Sequence, residues 1–197
     1  MTSRTEIANL ALAELGFPAV LDVDVDATKA ARIMKLIFNS TSDALLRSHP
    51  WNFAMKRQTL ALDAAAPAHG YTKQYALPSD FRRLVRVNVD DYRVEGKRLL
   101  TDQGGSIELL YIRSVADPND FDAMYIRALA TKMAQLAAFA LTGRVDETVR
   151  MGNAHELAMQ DARTVDGQEN PAETLIQDEF ETARYRGNAV FRPIAGI

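Results

Sequence analysis

The feature that most constrains the fold is a change of period at residue 50. From about Ala27 to Ser48, the residues Ala30, Ile33, Met34, Ile37, Thr41, Ala44, Leu45 and Ser48 recur at helical spacing, which predicts a helix with one buried stripe. Pro50 ends it, because the residue before a proline avoids the α region. Immediately afterwards Trp51, Phe53, Met55, Leu60 and Leu62 nearly alternate, the pattern of a strand with one buried side. A chain that changes period so abruptly must build a helical layer and a sheet layer, so the expected class is α+β.

The remaining elements follow the same logic. Ile7, Leu10, Ala11 and Leu15 predict a first helix, capped at Thr2 or Ser3 and closed by Gly16 and Pro18. Short strands are expected over 71–77, around Leu84, Val85, Val87 and Val89, and around Ile107, Leu109 and Tyr111. Val94-Glu95-Gly96-Lys97 reads as a tight turn between two further strands and Asp102-Gln103-Gly104-Gly105 as a second turn. The middle of the chain is thus expected to be an antiparallel sheet of hairpins. Asp117-Pro118 signals a helix start, with Phe121, Met124, Tyr125, Ala128, Leu129, Met133, Leu136, Ala137 and Ala140 on one face. Ala123, Ala130, Ala134 and Ala138 add small residues, which let helix axes approach closely and predict a central position in a bundle. A fourth helix is expected from about Glu147 to Val165, with Met151, His155, Ala158, Ala162 and Val165 inward.

These elements divide the chain into a helical pair (1–50), an antiparallel β insertion (51–115), a second helical pair completing one bundle (116–167) and an extended C-terminal arm (168–197). At 197 residues such a chain buries about 70% of its unfolded surface, enough for a core. It has no Cys, so thiol catalysis and Cys-ligated zinc are excluded and a reducing compartment suits it. The net charge of −3 lacks the basic excess of a protein that grips nucleic acid along its surface. No apolar run is long enough to span a membrane, and Glu6, Asn9 and Glu14 break any signal-peptide core in "MTSRTEIANLALAELG".

Chemistry-bearing patterns are sparse. Asp22, Asp24 and Asp26 occupy the first, third and fifth positions of a calcium loop, but Ala27 replaces the turn glycine and Ile33 the twelfth-position glutamate. Capping of the second helix by Asp26 or Thr28 explains the same residues. His49, His69 and His155 show no i, i+4 pairing; His49 sits at a helix C-terminus, where an imidazolium is favoured, and His155 is expected half-buried on a helix face. Phosphate-loop and serine-nucleophile motifs are absent. Trp51 is expected to anchor sheet to helices. In Tyr75-x-Leu77-Pro78-x-Asp80-Phe81, Pro78 fixes a turn and Asp80 is expected to cap a short helical start.

Four stretches, "WNFAMKRQTLAL" (51–62), "YALPSDFRRLVRVNV" (75–89), "YRVEGKRLLTD" (92–102) and "IELLYIRSVADPNDFD" (107–122), together with the order of elements over about 4–165, resemble the tail tubular protein A family. Members of that family are adaptor subunits of short-tailed double-stranded DNA phages. The resemblance implies a structural protein and not an enzyme, with no cofactor or metal. It implies a homo-oligomeric ring of twelve copies between the portal protein and a tail nozzle protein of the tail tubular protein B type. Double-stranded DNA would pass through the lumen without sequence-specific binding, and no membrane would be involved. The protein would sit in the neck of the virion after assembly in the host cytoplasm. An acidic or mixed lumen is expected, since a basic wall would hold phosphates.

The arm is the expected portal contact. Glu173 to Arg186 reads as a short helix with Leu175, Ile176, Phe180 and Ala183 on its apolar side. Arg184, Tyr185, Arg186, Phe191, Arg192 and Ile194 then cluster the residue types enriched at interfaces, with no carboxylate among them. Two alternatives come from other classes. A virion-associated polysaccharide or peptidoglycan hydrolase would need two carboxylates about 5–9.5 Å apart; a helical nucleic-acid-binding regulator would need a basic surface.

Overall fold

A computed structural model of the protein describes residues 2–169. The helices are α1 (Arg4–Glu14), α2 (Lys29–Ser48), α3 (Ala123–Thr142) and α4 (Val145–Gln168). Between the two pairs lie β1 (Met55–Leu60), β2 (Lys73–Ala76), β3 (Phe81–Val87), β4 (Arg93–Glu95), β5 (Arg98–Thr101) and β6 (Ile107–Arg113). The fold is α+β as the sequence predicts, a four-helix bundle carrying antiparallel strands, but the strands divide into two small sheets where one was expected. The arm beyond 169 lies outside the described residues.

Helix starts have local causes. Ser3 Oγ accepts from Glu6 N at 3.1 Å and begins α1; Thr28 Oγ1 accepts from Ala31 N at 3.2 Å and begins α2. Asp26 is not the cap. Its carboxylate accepts from Leu21 N, and Asp22 accepts from Asp24 N, so the acidic triplet ties its own loop together. Asp117-Pro118 opens only a single 3-10 turn, Pro118–Asp120. The cap of α3 is Asp122, whose carboxylate accepts from Met124 N and Tyr125 N, so this helix starts later than its proline suggests. Gly143, at φ 70°, ends it in the left-handed conformation.

The buried stripe of α2 is rotated from the predicted one. Met34, Thr41 and Leu45 are buried as expected, but Ala31, Phe38, Ser42 and Leu46 join them while Ala44 and Ser48 are exposed. On α3, Leu136 and Ala140 face out; on α1, so does Leu10; on α4, Val165 does, and Met159 and Asp166 are buried instead. The small-residue face of α3 is central as predicted at Ala130, Ala134 and Ala138, which are buried with Ala128 and Ala137 where α3 packs against α1, α2 and α4, but Ala123, in the first turn, is exposed.

The β region differs from a simple run of hairpins. One sheet has the order β1-β6-β3 and the other β2-β5-β4. Only β4 and β5 form a tight hairpin, whose two turn residues, Gly96 and Lys97, have φ of 53° and 63°, a type I′ turn. The strand expected over Trp51–Leu62 is shorter: Asn52–Ala54 form a 3-10 turn before β1, and Leu62 is exposed. Asp80 caps no helix; Phe81 enters β3 directly after a turn in which Phe81 N donates to Pro78 O at 3.0 Å.

Alternation along β6 links two cores. Ile112 packs into the helical core with Trp51, Tyr125 and Met133. Leu109 and Tyr111, on the other face, join Leu60, Tyr75 and Leu99 in a second core between the sheets.

Candidate functional site

Three places in the structure have enough side-chain organisation to be tested for function. The first is a clasp where the end of α4 meets the α2–β1 corner. Asp166 is 8% exposed. Its Oδ2 lies 2.9 Å from His49 Nε2, its Oδ1 accepts from Asn52 N at 2.9 Å, and its carbonyl accepts from Asn52 Nδ2 at 2.7 Å. His49 packs edge-on against Trp51 at 4.7 Å between ring centroids, and Trp51 Nε1 donates to Leu45 O at 2.9 Å. Trp51 is wholly buried and also meets Tyr125 edge-on at 5.3 Å. His49 is thus fixed by a carboxylate and an aromatic edge. The predicted C-terminal placement is observed, with a partner, Asp166, that sequence spacing did not indicate. The clasp's geometry is that of a structural lock: every polar atom named here is paired within it.

The second place is the α3–α4 turn. Leu136, Phe139, Val145 and Val149 flank it and are 51–66% exposed. Ion pairs border them: Arg144 with Asp146, and Arg150 Nε with Glu147 Oε2 at 2.8 Å. Lys29 Nζ donates to Ala140 O, which puts the start of α2 at this end. Apolar residues bordered by charge have the composition of an interface core and rim.

The third is the β region, at the other end of α2. Arg82 Nε donates to Asp43 Oδ1 at 2.8 Å, and Arg83 Nη1 to Arg47 O at 3.1 Å, tying β3 to the last turns of α2. On the inter-sheet side, Lys56 Nζ donates to Asp80 Oδ2 at 2.9 Å and Tyr111 Oη to Asp80 Oδ1 at 2.8 Å. Burial works to raise the Asp80 pKa, but the hydrogen bonds from Lys56 and Tyr111 outweigh it and hold the carboxyl below its ordinary value. The Asp80 hydrogen bond raises Lys56, while burial, then Asp80, raises Tyr111. An acid held ionised by two donors is suited to bracing the sheet, not to donating a proton.

A shallow cleft on the smaller sheet gathers His69, Tyr71, Asp91, Glu95 and Asp102. Its carboxylates have local tasks. Asp91 accepts from Tyr71 Oη at 2.9 Å, and Asp102 from Thr72 N at 2.8 Å and Thr72 Oγ1 at 2.9 Å. Among the described residues no group of three or more His, Asp and Glu is placed to hold a metal ion, and no helix is long and apolar enough to cross a membrane. His155 is half-buried as predicted; burial, then Lys132, lowers its pKa.

The predicted portal contacts Arg184, Tyr185, Arg186, Phe191, Arg192 and Ile194 lie outside the described residues. No family model matches the chain, and no curated protein matches it either.

Proposed function

We propose that this chain is a structural adaptor subunit of a phage head-to-tail connector ring, joining the portal to the tail nozzle and forming part of the DNA ejection channel. The observation that carries the reading is the pairing of two unlike surfaces on one body. Apolar residues flank the α3–α4 turn at one end of the bundle, and the β region is tied to the other end of α2. A 20-residue helix separates them, a length of about 30 Å. An adaptor must present different faces to different neighbours, and this architecture does so. The resemblance of the four quoted stretches to the tail tubular protein A family supplies the biological setting.

The mechanism is assembly, not catalysis. Subunits contact one another and the portal through weak surfaces such as Leu136, Phe139, Val145 and Val149. Templating on a ring raises their effective concentration, so avidity exceeds single-site affinity by roughly a hundredfold or more. The β region faces the nozzle or a neighbouring subunit, and the arm with Arg184, Tyr185, Arg186, Phe191, Arg192 and Ile194 reaches the portal. Double-stranded DNA passes through the lumen unread.

The test is mass photometry of the full-length protein, alone and with the portal ring encoded by the same genome. Portal-dependent addition of about twelve subunits supports the reading, in keeping with the avidity of templated rings. Failure to join the portal at any ratio overturns it. Truncation after Glu169, which leaves α4 and its clasp intact, separately tests the arm: unchanged portal binding would remove the arm from the interface.

A further inference from the structure

A cavity of about 300 Å³ opens where the start of α1 meets the middle of α2 and the start of β3. Arg4, Phe38, Asn39, Asp43, Arg82 and Ser114 are among the residues that line it. Both guanidiniums are held in place. Arg4 lies over the Phe38 ring, 4.9 Å from its guanidinium carbon to the ring centroid, a cation–π contact. Arg82 is fixed by three bonds: Nε donates to Asp43 Oδ1 at 2.8 Å, Nη1 to Phe81 O at 3.3 Å and Nη2 to Ser114 Oγ at 3.0 Å.

Both are also short of acceptors. A guanidinium carries five N–H donors, and these bonds leave Arg82 one N–H on each Nη. Arg4 is supplied less well. Its Nη1 reaches Asp24 at 3.3 and 3.4 Å, longer than the roughly 2.7–2.9 Å of a charge-assisted bond. Asp24 is shared with Lys35 Nζ at 3.6 Å. Arg4 Nη2 meets no acceptor among the described residues, and neither does Nε, which is buried. We propose that this cavity binds a carboxylate, the end of an Asp or Glu side chain on a partner protein.

Charge, shape and size select that ligand. Arg4, Lys35 and Arg82 stand against Asp24 and Asp43 here, three cations to two carboxylates, so one positive charge is left over and matches a monoanion. A phosphate group, with a charge of about −1.5 to −2 at neutral pH, would bring the excess against Asp43. The planar forks of the two arginines present parallel N–H pairs, the geometry that a carboxylate accepts. Asn39 and Ser114 add an amide and a hydroxyl donor. A volume of about 300 Å³ is the floor of the range for small-molecule sites, room for one side chain and too little for a nucleotide. The fixed guanidiniums lose little freedom when the ligand arrives, which favours binding. The site stands independently of the adaptor reading.

The test is a titration of the full-length, nitrogen-15-labelled protein with N-acetylglutamate N-methylamide, read from the Arg4 and Arg82 Nε–H signals by nuclear magnetic resonance. N-acetylglutamine N-methylamide is the uncharged control. The expected result is a saturable shift of both signals with a Kd on the order of millimolar, and binding of the glutamine analogue at least about tenfold weaker. Asn39 is exposed, so Asn39→Asp sets a carboxylate on the cavity wall without disturbing the Arg82 links. It should weaken binding at least about tenfold through like-charge repulsion, with the melting temperature held. Arg4→Lys keeps the charge but loses the fork and should weaken binding severalfold. Shifts that stay linear in both signals up to about 50 mM probe, or equal binding of the glutamine analogue, overturn the proposal. Inorganic phosphate binding as tightly as the capped glutamate overturns the carboxylate assignment. Glutarate binding about tenfold tighter than the capped glutamate overturns the partner side chain as the source and makes a free diacid the ligand.

Discussion

Asp166→Ala is the sharpest probe of how this fold is held. The carboxylate is almost wholly buried and makes two hydrogen bonds, one to the Asn52 amide and one to the His49 ring, both at 2.9 Å. Hydrogen bonds to a charged group contribute about 1.5–3 kcal/mol each, and a buried amide left without a partner costs its desolvation. The expected loss is therefore about 3–5 kcal/mol, or about 8–15 °C in Tm for a chain of this size. Asp166→Asn keeps an acceptor for Asn52 N and offers an N–H to His49, so it should lose only about 1–2 kcal/mol. Urea unfolding followed by far-ultraviolet circular dichroism and by fluorescence measures both. The single Trp, Trp51, packs against His49, so it reports on the clasp itself. A double-mutant cycle with His49→Ala should return a coupling of about 1–2 kcal/mol. A loss below about 1 kcal/mol for Asp166→Ala would show that solvent replaces these partners, and the argument for a lock would fail.

Other residues give independent checks. Tyr125 Oη donates to Ser42 O and sits 3.0 Å from Ser42 Oγ, so Tyr125→Phe should cost about 1–2 kcal/mol in urea unfolding. Lowering of the His155 pKa in the fold means that the unfolded state binds the proton first. Stability is then full above the unfolded value of about 6.5 and falls as pH drops through it toward the folded one. Thermal melts from pH 7.5 to 5 should show His155→Gln losing less than the native protein over that window. In the β4–β5 turn, Lys97 at φ 63° carries a side chain in a left-handed conformation. Lys97→Asn should gain about 0.5 kcal/mol and Gly96→Ala should lose about 1 kcal/mol, measured by the same denaturation.

Features set by local chemistry were legible in the sequence. Ser3, Thr28 and Gly143 act at helix ends as their residue types predict, because a cap needs only its own backbone neighbours. The Gly96-Lys97 hairpin was legible for the same reason. What escaped depends on distant partners. The α2 stripe is rotated toward Phe38 and Ser42 because Arg4 sits over the Phe38 ring at 4.9 Å and Tyr125 reaches Ser42, contacts that periodicity within α2 does not encode. Likewise β1 pairs with β6 across the whole insertion, so neighbouring turns carry no information on its register. Asp166 was the clearest miss: a carboxylate in a helix reads as solvated, and only the position of Asn52 and His49 makes it buried. An Asp among inward positions of α4, four residues after Ala162, was the one available signal.

The two cores share β6, and this governs what the molecule can do mechanically. Ile112 belongs to the helical core and its neighbour Tyr111 to the inter-sheet core. Rotating the β region against the bundle would strip one face of β6 or shear its pairing with β1 and β3, which are its partners on both sides. Arg82 to Asp43 and Arg83 to Arg47 add fixed links on the same side. The body therefore lacks the loop-absorbed break that a hinge requires. Under the proposed adaptor role, as a subunit of a closed ring, this stiffness has a specific use. Small angular errors add around a ring, so weak contacts at each boundary yield high avidity only when every subunit presents its two ends at a constant angle.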